Sequence, residues 1–168
     1  MSVDRDKLLA DLEEIVANAR ERIASLKLVA DLLRSCGGYR WVGLYDVDRA
    51  GRLVRNVVWS GAGAPEYPTF PVTKGLTGVA VADRRTVNVG DVASDPRYLT
   101  AFSTTRSEII VPVFEQARGV VIGTIDIESE TANAFGADVQ ALLETCSEVI
   151  RPLWELGSAR KYARDFSR

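Results

Sequence analysis

Residues 107–129 read SEIIVPVFEQARGVVIGTIDIES. Two apolar runs, IIVPVF (109–114) and VVIGTIDI (120–127), flank a short polar stretch, the pattern of a buried β-hairpin. Pro112 inside the first run marks an edge or a bulge. Three acids, Glu108, Asp126 and Glu128, interrupt this otherwise dry sequence. Side chains alternate across a strand, so Asp126 and Glu128 share one face while Ile125 and Ile127 share the other. A three-residue loop (Gln116, Ala117, Arg118) would set Glu108 directly across from Asp126, a register that depends on loop length. One face of the hairpin is then apolar and packs on helices. The other either meets water as an ordinary polar sheet face or gathers its acids into a site.

The same alternation extends to the first strand. YRWVGLYDV (39–47) and LVRNVVWS (53–60) read as a hairpin turning near Asp48 and Gly51. Trp41, Gly43 and Tyr45 share a face, with a notch one side chain wide at the glycine. Aromatic walls above an anionic floor would suit a small cation, or an amino group on an apolar tail. Between the hairpins lie a proline-bearing loop (61–74), a short helix GLTGVAVADR (75–84) and a short strand TVNVGDV (86–92). SDPRYLTAF (94–102) reads as a helical turn with Ser94 as N-cap.

Residues 4–35 contain neither Gly nor Pro. Leu8, Leu12, Ile15, Ala19, Ile23, Leu26, Ala30 and Leu33 recur at steps of three and four, which predicts one long amphipathic helix stopped by Gly37 and Gly38. At 1.5 Å per residue it would run roughly 45 Å, longer than a domain of this size is wide. The excess stripe would pack on a second copy, or the helix would lie wholly on its own sheet. A last helix is expected from about Ala137 to Gly157, kinked at Pro152.

Composition narrows the function classes. The chain has 168 residues, 46% hydrophobic, with 21 basic and 23 acidic side chains and a net charge of −2. That suits one compact domain. No basic stretch points to nucleic acid, and no apolar run reaches the roughly 20 residues of a membrane span. The start MSVDRDKLLADLEE is unlike a signal peptide, so a cytoplasmic protein with reduced thiols is expected. There is no histidine, which excludes a His-ligated haem or zinc. Cys36 and Cys146 lie in no metal spacing. One ends a helix and the other sits in an apolar helical stripe. No cofactor and no metal is expected.

GLTG, TVNVGDV, SEIIVPV and GVVIGTIDIES stand in the order and spacing of a GAF domain, from about Trp41 to Leu156. Within that superfamily the chain most resembles the free methionine-(R)-sulfoxide reductases: RWVGLY resembles NWVGFY, RSEIIVPV resembles SEIVVPL, and GTIDIES resembles GVLDIDS. The resemblance implies that Trp41 and Tyr45 line a substrate pocket and that Glu108, Asp126 and Glu128 hold the amino group of a free amino acid. It also exposes a departure. The family's three cysteines fall at Tyr67, Thr77 and Ala101 here. The thiolate chemistry of sulfoxide reduction is therefore missing, while the eight positions remain candidate ligand-binding residues. A bilin would need a cysteine near a histidine, the NKFDE motif of phosphodiesterase GAF domains is not evident, and clustered acids repel phosphate.

The expectation is an α+β fold. A GAF-like antiparallel sheet would carry a long N-terminal helix and a C-terminal helix on one face and a loop-covered pocket on the other. Residues 1–36 would form a dimerising helix, 37–158 the GAF domain and 159–168 a short basic tail. The function expected is a sensor or regulatory module for a small amine or amino acid, acting as a homodimer without nucleic acid or membrane. Any output module would lie on another chain. An enzyme acting on an amino compound without thiols, with Asp126 or Glu108 as base, and a dimerising scaffold with a relic pocket are the alternatives.

Overall fold

The computed structural model describes residues 3–100, 102–117 and 119–156. Ala101, Arg118 and the basic tail lie outside the described residues. The elements are α1 (Arg5–Ala17), α2 (Arg22–Gly37), β1 (Trp41–Asp48), β2 (Leu53–Gly61), β3 (Thr69–Pro71), α3 (Gly75–Asp83), β4 (Val87–Val89), β5 (Ser107–Phe114), β6 (Val121–Ser129), α4 (Ala137–Ile150) and α5 (Pro152–Glu155). The strands form one antiparallel sheet in the order β3-β2-β1-β6-β5-β4. The α+β architecture is as expected, and α4 breaks before Pro152.

On one face, α2 lies over β1 and β2, α4 lies over β5, and α1 packs on both helices. Val42, Leu44, Ile109, Val111, Val113, Ile125 and Ile127 supply the sheet's half of this core. Pro112 stands two residues past Ile110, the last β5 partner of the short β4, so it interrupts no pairing there. The opposite face carries α3, whose Leu76 and Ala80 pack on Val87 and Ile110.

The N-terminal segment is two helices rather than one. Asn18 caps α1, its backbone N–H and its side-chain amide both donating to Glu14 O. Glu21 starts α2 by accepting from the N–H groups of Ile23 and Ala24 at 3.2 and 2.7 Å. Arg22 then ties the new start to β1 and α5 through Asp46 and the Leu153 carbonyl. Side-chain caps did here what Gly or Pro would announce in a sequence. The fold-back puts Leu8, Leu12, Leu26, Ala30 and Leu33 inside this one chain. Ile23 stays exposed. The excess helix length that called for a second copy does not exist.

Two further expectations are corrected. Ser94 is no α-helical N-cap: it ends a 3-10 turn (Val92–Ser94) that Asp91 caps by accepting from Ala93 N–H. In the main hairpin Glu108 pairs with Glu128, and Asp126 with Ile110. The loop spans residues 115–120, closed by Glu115 N–H to Val120 O at 2.7 Å, and the register shifts between Val113 and Phe114. An offset of two residues preserves which face each side chain takes, so the acids still share a face.

Candidate functional site

The pocket face is assembled from three adjacent strands. Trp41 of β1 stands across from Glu128, and Gly43 across from Asp126. On the other side of β6, Glu128 stands across from Glu108. One oxygen from each acid lies within 4.8 Å of the others. Glu108 and Asp126 are 7% exposed and Glu128 is 1% exposed. Thr105 donates its hydroxyl to Glu128 Oε2. Glu108 Oε2 and Asp126 Oδ1 find no hydrogen-bond partner on the protein. Buried polar atoms are nearly always paired, so these two oxygens, with Thr124 Oγ1 on the same face, stand out among the described residues.

Electrostatics follow from this crowding. Burial, and then the charges of Asp126 and Glu128, push Glu108 well above the ordinary carboxylate range. Burial and then Glu128 do the same to Asp126, which a hydrogen bond from Glu108 partly relieves. Glu128 is raised to about 7 by burial, against the opposing pull of Thr105 and Arg40. Burial, followed by the charge of Asp126, raises the Tyr45 phenol, which stays neutral. Each acid thus resists ionisation, as like charges in low dielectric do.

A cavity of about 30 Å³ adjoins the acids, with Tyr45, Phe70, Leu76 and Leu99 as apolar walls. Pro65 and Tyr67 close it from the proline-bearing loop, and Thr77 reaches it from α3. Gly78 lets the segment entering α3 pack against the helix: a Cβ there would fall 2.7 Å from the Thr73 carbonyl carbon. The space holds one or two waters and is far below the roughly 300 Å³ of a drug-sized pocket.

Of the eight residues singled out in the sequence, Tyr45, Tyr67, Thr77, Glu108, Asp126 and Glu128 line this cavity. Ala101 lies outside the described residues. Trp41 is adjacent but turned: its ring rolls over Gly43, where a Cβ would meet Cη2 at 2.2 Å. The expected notch is thus filled by Trp41 itself, whose Nε1 donates to Gly63 O at 3.2 Å. The Phe102 ring lies tilted with its centre 5.7 Å from that of Trp41, and the Arg40 guanidinium lies 4.3 Å over Phe102. Sequence reading missed Thr105, Arg40 and Phe102. They come from loops and a strand end, where no periodicity points inward.

Both thiols sit away from this site. Cys146 belongs to the helix-side core, against which Cys36 packs. Burial raises the Cys146 thiol to about 12.

Comparison with known proteins agrees with this geometry. The "GAF domain-containing protein A" of Dictyostelium discoideum is 30% identical over 135 residues, covering 77% of this chain and 79% of that protein. The structure of free methionine-R-sulfoxide reductase from Neisseria meningitidis in complex with its substrate superposes with a TM-score of 0.84. It is 29% identical and covers 93% of this chain and 91% of that one. A putative GAF sensor protein from Burkholderia vietnamiensis superposes with a TM-score of 0.81 at 25% identity, covering 90% and 94%. The GAF domain profile matches residues 21–151. With the six-stranded sheet, its helical face and its buried pocket, this chain belongs to the GAF domain family, whose members are generally small-molecule-binding sensor or regulatory modules.

Proposed function

We propose that this GAF domain binds the ammonium group of a small amine or free amino acid, as a sensing or regulatory module, and does not reduce methionine sulfoxide. The observation that carries the reading is the pair of buried, unpartnered oxygens on Glu108 and Asp126, beside Glu128. An ammonium donates along tetrahedral directions, so three acceptors each about 2.8 Å from its nitrogen stand about 4.6 Å apart. The acid oxygens lie within 4.8 Å of one another. The likeness to the Neisseria reductase, whose structure holds its substrate, supports a small-molecule ligand here. The cavity admits the ammonium group alone, so the remainder of the ligand displaces Tyr67, which is 39% exposed.

The thiols argue for binding without reduction. Tyr67 and Thr77 stand at the cavity where the family has cysteines, and Cys146 is held protonated in the opposite core. A buried carboxyl group also suits proton transfer, so an enzyme acting on an amino compound with Asp126 or Glu108 as base is the second reading. Thermal-shift screening of free amino acids and amines tests binding: a hit should raise the melting temperature, and Asp126→Asn should abolish the rise. Incubation with free methionine-(R)-sulfoxide and a thioredoxin system should give no methionine above background. Turnover lost in Cys36→Ser or Cys146→Ser would refute the claim about chemistry.

A further inference from the structure

Ammonium is one cation these acids fit; their donor set and charge fit a second. Three points no more than 4.8 Å apart lie within about 2.8 Å of a common centre, close to the 2.3–2.6 Å at which calcium meets oxygen. Magnesium dehydrates reluctantly and is seldom held by an all-protein cage, so calcium suits three buried carboxylates better. The donors are carboxylates with no sulfur or imidazole beside them, a set for hard cations. Thr124 Oγ1, buried on the same face, likewise has no partner on the protein. The adjoining cavity of about 30 Å³ holds one or two waters to complete a coordination shell. Thr105 orients Glu128 from behind by its hydroxyl, as outer groups orient metal ligands.

A divalent ion offsets two of the three carboxylate charges and an ammonium only one, so the ion answers more of the repulsion among Glu108, Asp126 and Glu128.

We infer that Glu108, Asp126 and Glu128 form a binding site for a single hard divalent cation of calcium's size. Occupancy by this ion and by an amine is mutually exclusive. The inference does not rest on the amine reading.

Terbium is the probe, because tryptophan excites it and Trp41 stands across from Glu128. Titration of the whole chain should give tryptophan-sensitised luminescence that saturates and is displaced by calcium with a Kd below about 1 mM, and far less readily by magnesium. Glu108→Gln and Asp126→Asn should each weaken binding roughly tenfold or more, and Thr105→Val roughly tenfold. Asp138→Asn, an exposed acid of α4, should change nothing. Circular dichroism checks that each variant is folded. No sensitised signal and no calcium heat up to about 10 mM would overturn the site, as would binding that survives both Glu108→Gln and Asp126→Asn. Methylammonium decides the other reading separately. Calcium binding that methylammonium cannot displace leaves the ion site standing and removes the amine pocket. Methylammonium binding without terbium or calcium does the reverse.

Discussion

The two faces of the β5–β6 hairpin differ by one residue of register and by everything else. On the helix side, Ile109, Ile125 and Ile127 are fully buried among leucines and valines, side chains with no polar atom to satisfy. On the pocket side, Glu108, Asp126 and Glu128 are almost as deeply covered, yet two of their oxygens are unpaired. The first face is built as a protein interior is built, for stability. The second holds like charges in low dielectric, which costs stability unless a cation completes it. One hairpin thus carries the fold on one side and the site on the other.

Substitutions should break this contrast in opposite directions. The largest effect is expected from Ile125→Ala on the helix face. It opens a cavity in a closed core and should cost about 2–5 kcal/mol, read from urea denaturation. Asp126→Asn, one residue along, should instead stabilise the protein without added ligand. It removes one carboxylate from a repelling set, so the variant's melting temperature should rise above that of the wild type. If Asp126→Asn destabilises as Ile125→Ala does, the pocket face is ordinary core and the contrast fails. Glu21→Ala should cost about 1 kcal/mol through loss of the cap that starts α2. It should leave ligand and ion titrations unchanged.

The pH dependence carries the same contrast. Glu128 has its folded pKa raised to about 7 from 4.5, and Glu108 and Asp126 are raised as well. An acid whose folded pKa lies above its unfolded one binds protons more tightly when folded. Its contribution is therefore full below the unfolded value and declines as pH rises toward the folded value. The wild-type melting temperature should fall by roughly 3 °C or more between pH 5 and pH 8. A bound cation should flatten that fall.

Much of this was legible before any coordinates. Alternation placed Asp126 and Glu128 on one face, and the assumed hairpin register added Glu108 to it. That placement survived a register error, because the longer 115–120 loop moved the pairing by two residues and not by one. What failed were features that periodicity does not encode. The α1–α2 break rests on side-chain caps at Asn18 and Glu21, in a stretch whose apolar spacing runs straight through. The notch at Gly43 closed because Trp41 chose a rotamer that lays its ring on the glycine, and strand alternation says nothing about rotamers. Thr105 and Arg40 reach the acids from a loop and a strand end, positions that tertiary folding alone brings inward.

The most direct test of the buried acid cluster is a carbon-13 NMR titration of the Glu108, Asp126 and Glu128 carboxyl groups. Without ligand, at least one should titrate near pH 7. Adding methylammonium or calcium should move that midpoint down. Three midpoints near the ordinary value of about 4, unmoved by either cation, would contradict the account.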